Sequence, residues 1–175
     1  MYTEDGLLEG LTKLCNHRTI IIGVGNTLKG DDGAGPLVCR QLVGKVTAGL
    51  IDASSTPENY IQQIRDHTPQ CLLIIDAIDF GAVVGAIASF EPEEMSPAIT
   101  STHGLSPRLF VDAVCRDIGT VAYFIGIQPA QTELGHCMSP EVSEAVHRLV
   151  RILTVAFGKA ADTAMSVKSD SRPAI

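Results

Sequence analysis

Residues 20–35 read Ile-Ile-Ile-Gly-Val-Gly-Asn-Thr-Leu-Lys-Gly-Asp-Asp-Gly-Ala-Gly. A β-branched apolar run that enters a glycine-rich turn is the pattern of a buried parallel strand delivering its loop to the rim of an α/β sheet. Gly25 and Gly30 stand at the offset of a phosphate-binding loop, but such a loop continues Lys-Ser or Lys-Thr, and a dinucleotide fingerprint needs glycine where Leu28 stands. Here Asp31 and Asp32 follow instead. Two adjacent carboxylates beside the start of a helix repel phosphate, so the loop has the electrostatic sign that attracts a cation.

The 175-residue length fits one domain with a substantial core, and 45% hydrophobic residues with only 5% aromatic suits an aliphatic α/β interior. A formal charge of −7, with no cluster of lysine and arginine, argues against nucleic acid or an anionic membrane as partner. The opening Met-Tyr-Thr-Glu-Asp lacks a basic signal-peptide start, and no apolar run approaches the roughly 18–20 residues of a membrane span, so a cytoplasmic location is expected. Five scattered cysteines without a Cys-x-x-Cys pair read as reduced thiols, mostly core filler, and Cys137 beside His136 lacks the orienting partner that a nucleophile or ligand would need.

Strand and helix signals alternate along the chain. After a weakly amphipathic lead-in over 1–18, the first strand is followed by a helix from Pro36 to about Val46. Leu50-Ile51-Asp52 reads as a second strand, and Thr56 and Pro57 open a helix with Tyr60, Ile61 and Ile64 inward. The near-continuous apolar run from Cys71 to Ile78 predicts a central strand covered on both faces. Residues 86–90 predict an antiparallel edge strand, because the connection before them is too short for a crossover helix. A helix capped by Thr102 or Ser106 is expected to bury Leu109, Phe110, Ala113 and Val114, and a strand over 120–127 follows. Ser139-Pro140 opens the longest amphipathic helix, with Val142, Ala145, Val146, Leu149, Ile152, Leu153 and Ala156 on one stripe. The alternation implies a single three-layer α/β domain over 1–158, with a mainly parallel twisted sheet of about five strands flanked by helices. The Ala/Ser/Lys/Asp-rich segment 159–175 is expected to be a disordered tail.

Within that fold Asp31 and Asp32 follow the first strand, Asp52 ends the second, Asp76 ends the third and Gln128 follows the last. Ligands of open α/β sheets bind outside the carboxyl ends of the strands, so these residues and the loop residue His103 can converge. Carboxylates clustered there disfavour each other's ionisation, and a divalent cation reverses that balance. One imidazole with two carboxylates leaves open positions on zinc, nickel or cobalt, from which a bound metal polarises a carbonyl or activates water. Taken singly, Asp52 and Asp79 are turn or capping residues more often than ligands, and Asp76 stands evenly between the two readings. His17, His67, His136 and His147 are read as surface or capping histidines.

With Gly-Val-Gly-Asn-x-Leu-x-x-Asp-Asp-Gly at 23–33, Ile-Asp at 51–52, Asp76 after an apolar strand and Thr-His at 102–103, the chain resembles the [NiFe]-hydrogenase maturation endopeptidases from about residue 20 to residue 157. Pro57-Glu-Asn59 and Gly126-Ile-Gln-Pro129 look closest to the branch that processes the large subunit of hydrogenase 3 (formate hydrogenlyase) enzymes. The resemblance implies a hydrolase that removes a C-terminal peptide from the large-subunit precursor once nickel is in place. It matches the family's metal-contacting residues to Asp32, Asp76 and His103, and a further acid implicated in activity to Asp52. Many relatives continue Asp-Gly-Gly where this chain has Asp52-Ala53-Ser54, which removes glycine's freedom at that point.

On that resemblance Asp32, Asp76 and His103 dock onto nickel already bound by the precursor, although another divalent metal could occupy the site. Metal as a Lewis acid and metal as an anchor beside a carboxylate-activated water both remain open. No serine or cysteine stands in an activating arrangement with His103. The competing expectation is a non-catalytic, chaperone-like nickel-binding module, which would call for thiol or histidine clusters that give closed coordination.

Overall fold

The computed structural model describes residues 2–14, 18–95, 100–101, 107–116 and 118–158. In chain order these form β1 (Tyr2–Thr3), α1 (Glu4–Leu14), β2 (Thr19–Val24), α2 (Ala34–Leu42), β3 (Gly49–Ser54), α3 (Ile61–His67), β4 (Cys71–Asp79), β5 (Ile87–Phe90), β6 (Thr100–Ser101), α4 (Pro107–Cys115), β7 (Val121–Ile127) and α5 (Pro140–Phe157). Short 3₁₀ turns precede α2 and α3.

The strands order as β1-β5-β7-β4-β2-β3, with β6 paired to the end of β4. The four strands β3, β2, β4 and β7 run parallel, and β5 lies antiparallel to β7. The two-residue β1 covers the outer side of β5, so β5 is not the bare edge that its sequence suggests. Five strands of four or more residues therefore make the expected sheet, and the two-residue strands add short pairings at its margins. Burial on both faces explains the unbroken apolar run of β4, where every residue from Cys71 to Ile78 is buried.

Alternation along the strands divides the core into two layers. Ile21, Leu73, Ile75 and Ile125 pack with Leu7 and Leu11 of α1, Val38 and Leu42 of α2, and the α5 stripe. Ile22, Ile74, Ile78 and Phe124 pack on the other side with Ile64 of α3 and Phe110, Val111 and Val114 of α4. A helix with one wide apolar stripe and a strand of period two can only satisfy both patterns in this layered way.

Several details differ from the sequence expectation. The helix expected from Pro36 begins at Ala34 and ends at Leu42, because Gly44 takes φ 78 in the turn that follows. Leu109 is 61% exposed, and Val111 occupies the inward position instead, because the stripe that packs on the sheet runs through 110, 111 and 114. Ile61, Tyr60 and Ile152 are only partly buried. The caps expected at Thr102 and Ser106 and the tail expected over 159–175 lie outside the described residues.

Candidate functional site

The parallel order β3-β2-β4-β7 has its topological switch between β2 and β4: the chain leaves β2 toward β3 on one side and returns to β4 on the other. A crevice opens at the carboxyl ends of the strands at such a point. Gly23 of β2 stands opposite Asp52 on β3 and Ile75 on β4, so Asp52 and Asp76 emerge on either side of the end of β2. The loop after β2 turns back at Gly25, whose φ of 143 is open to glycine and where a Cβ would overlap the Asp32 carbonyl oxygen. It then tightens into the 3₁₀ turn Gly30–Gly33, which packs against β4 and leads directly into α2.

That turn carries Asp32 into the crevice. Its side chain is buried, and its Oδ2 accepts from the Asn26 backbone N–H at 2.8 Å. Asp76 is buried as well, at the end of the central strand and opposite Gly126 of β7. The switch point thus brings together two of the expected ligands, both hard oxygen donors. Burying carboxylates is costly unless hydrogen bonds or opposite charge offset it, which is the condition under which a cation becomes a favourable partner.

Asp52 is held apart from Asp76. Asp76 shares its strand face with Ile74 and Ile78, on the α3/α4 side of the sheet. On β3 the neighbours Ile51 and Ala53 point to that side, so Asp52 points to the opposite one, toward α2. There its Oδ2 accepts from Arg40 Nε at 2.9 Å, and its Oδ1 accepts from Ser54 N at 3.1 Å and Ser54 Oγ at 3.3 Å. Ser54 adopts φ 49, a left-handed conformation, and its carbonyl receives the Gly25 N–H at 2.9 Å. Asp52 is therefore braced against the root of the glycine loop rather than grouped with the metal-type acids.

Asp31, the first carboxylate of the pair, is completely buried. Its Oδ2 accepts from Ala130 N at 2.8 Å, Gln131 N at 3.2 Å and Ser139 Oγ at 3.1 Å, and its Oδ1 accepts from Ser139 N at 2.6 Å. Gly30 N donates to His136 O, and Gly30 takes φ 57, a left-handed conformation that glycine adopts without strain. Gln128, expected at the rim, is consumed in similar bracing: its Oε1 accepts from Phe80 N and Ala82 N, and its Nε2 donates to Asp79 Oδ1 at 3.0 Å. That bond, with one from Gly81 N, lowers the Asp79 pKa, which bears out the turn reading of Asp79. No local sequence signal reveals Asp31's role, since its partners lie about a hundred positions away and are mostly backbone groups.

His103 lies outside the described residues, and among those described no group of three or more metal-type side chains assembles. Among the described residues the buried thiols do not offer a nucleophile. Burial pushes Cys39 up to about 12, with Asp52 adding to the shift, and pushes Cys71 up to about 12 and Cys115 up to about 11. Cys137 is exposed, and its neighbour His136 pairs through Nε2 with Glu133 at 3.4 Å.

Residues 39–156 match the family model described as hydrogenase maturation protease. The hydrogenase 3 maturation protease of Escherichia coli K12 is 34% identical over 137 residues, which span 77% of this chain and 87% of that protein. The crystal structure of a [NiFe] hydrogenase maturation protease HycI from Thermococcus kodakarensis superposes with a TM-score of 0.77 at 30% identity, covering 86% of this chain and 97% of that one. A crystal structure of the hydrogenase 3 maturation protease gives 0.72 at 33% identity, covering 82% and 94%. These relatives are proteases, so a non-catalytic metal-handling module is not favoured. With the sheet, its switch-point acids and these similarities in agreement, the chain belongs to the hydrogenase maturation protease family and is a hydrolase of the endopeptidase class.

Proposed function

We propose that this endopeptidase removes a C-terminal peptide from the nickel-loaded large-subunit precursor of a [NiFe] hydrogenase, in the cytoplasm. The observation that supports the reading is that Asp32, in the turn after β2, and Asp76, on β4, lie on the two segments that flank the switch point, both buried and both oxygen donors. Nickel belongs to the substrate in this account. Asp32 and Asp76, joined by His103, contact the metal that the precursor already holds, and a carboxylate–imidazole set leaves positions for the precursor's own ligands.

Contact with that metal fixes the scissile peptide against the rim. Positioning of this kind supplies a large part of a hydrolytic rate enhancement, because the reacting atoms are held in near-attack geometry. In this reading Asp52, which accepts from Arg40 and Ser54 beside the glycine loop, orders the cleavage segment or an attacking water. Bound metal polarises a carbonyl or lowers the pKa of a water when it acts directly.

The test is incubation of the purified chain with a nickel-loaded large-subunit precursor, followed by intact-mass analysis. Loss of one C-terminal peptide is expected, and Asp32→Asn or His103→Ala should abolish it while leaving the melting temperature near that of the parent. A precursor that keeps its full mass, or an Asp32→Asn variant that cuts normally, contradicts the reading.

A further inference from the structure

We propose that Leu28 and Leu134 together form a docking surface for an aliphatic face of the precursor polypeptide, immediately beside the switch-point acids. The inference rests on the proposed function and adds to it the place where the substrate protein is gripped. Leu28 is 67% exposed on the loop after β2, and Leu134 is 70% exposed on the loop after β7. A single exposed leucine needs no explanation. These two, however, sit on either side of one backbone hydrogen bond, from Gly135 N to Leu28 O at 2.8 Å, although they lie far apart in sequence.

The loops that present them are fixed before any partner arrives. Asp31 clamps Ala130, Gln131 and Ser139, Gly30 N bonds His136 O, Asp31 N bonds Gln131 O, and the Gln131 side chain bonds Cys137 O at 2.8 Å. A fixed apolar pair avoids the ordering cost that a loose loop meets on association. The occupant follows from position and enzyme class. Leu28 precedes Asp32 by four residues in the same loop, and an endopeptidase has to lay its protein substrate across the rim where those acids open. The surface therefore suits an apolar patch of the precursor next to its metal, while the buried acids beneath meet the metal itself.

Val43 and Val155 provide an internal comparison. Each is 70% exposed, but Val43 follows α2 and Val155 lies in the last turn of α5, near where Thr47 N, just ahead of β3, donates to Phe157 O. Exposed apolar area alone would make all four residues equivalent.

The experiment compares L28S/L134S with V43S/V155S in cleavage of nickel-loaded precursor over a range of precursor concentrations. Loss of two aliphatic contacts is expected to raise KM roughly tenfold or more in L28S/L134S, with kcat within about twofold of the parent, and to leave both constants unchanged in V43S/V155S. The single variants L28S and L134S, each expected to raise KM severalfold, serve if the double variant folds poorly. An unchanged KM in the rim variants, or an equal rise in V43S/V155S, overturns the docking surface while leaving the function intact. A parent chain that cuts no precursor overturns both.

Discussion

Asp31 and Ser139 are 108 residues apart in sequence, yet the Asp31 carboxylate accepts both the Ser139 N–H at 2.6 Å and its hydroxyl at 3.1 Å. Ser139 is also the cap of α5, where its Oγ accepts from Val142 N. One buried acid thus fixes the glycine loop to the start of the longest helix, and with it the position of Asp32 at the rim.

Asp31→Ala leaves the backbone N–H groups of Ala130, Gln131 and Ser139 without their acceptor. The expected cost is about 2–4 kcal/mol, the range for a broken buried hydrogen-bond network. Urea unfolding measures it, and limited proteolysis should show new cleavage between 129 and 139. A variant as stable as the parent would show that the clamp is dispensable.

Asp52 and Arg40 are expected to matter for activity more than for folding. Their ion pair is partly exposed, with side chains 29% and 55% accessible, so Arg40→Ala should cost under about 1 kcal/mol. Asp52→Asn should lower kcat on nickel-loaded precursor by about a hundredfold, and Arg40→Ala by about tenfold because it only orients Asp52. Cleavage by Asp52→Asn at the parent rate would reduce Asp52 to a bracing residue.

Thr68 ends α3 in a left-handed conformation, φ 41, with its N–H bonded to Arg65 O at 2.9 Å. A β-branched residue is strained there and glycine is not. Thr68→Gly should raise stability by about 0.5–1 kcal/mol without changing cleavage. A lower melting temperature would contradict this.

Cys39 and Cys71 titrate near 12 because they are buried, so both remain protonated at pH 8. Iodoacetamide should label exposed Cys137 well before either of them, as peptide mapping would show, and cleavage should survive that labelling. In the unfolded chain these thiols ionise near 9, and the folded state resists ionisation. Their contribution to stability is therefore complete below pH 9 and declines as the pH rises toward 12. Stability that held constant across that range would refute the burial assigned to them.

Much of the fold is legible because the signals are local and periodic. The apolar run at Cys71–Ile78 can only be a strand covered on both faces, and the stripe of α5 fixes which side of that helix faces the sheet. The positions of Asp32 and Asp76 are legible for a related reason, since one follows a readable strand, the other lies near the end of one, and the sheet rule sends both toward one rim. The burial of Asp31 and Gln128 was not, because their partners are backbone groups of loops that no periodicity marks. Nor was the separation of Asp52 from Asp76. It depends on strand parity across three neighbours, which sequence does not fix until the register is known. Leu109 illustrates the limit within one helix, where Leu109 and Val111 are both apolar and only the packing decides which of them faces the sheet.

The most direct test of the central claim, that the switch-point acids read nickel held by the substrate, is a comparison of cleavage rates for one large-subunit precursor prepared with and without nickel. The account predicts loss of the C-terminal peptide from the nickel-loaded form, and little or none from the nickel-free form. Equal rates of mass loss from the two preparations would contradict it.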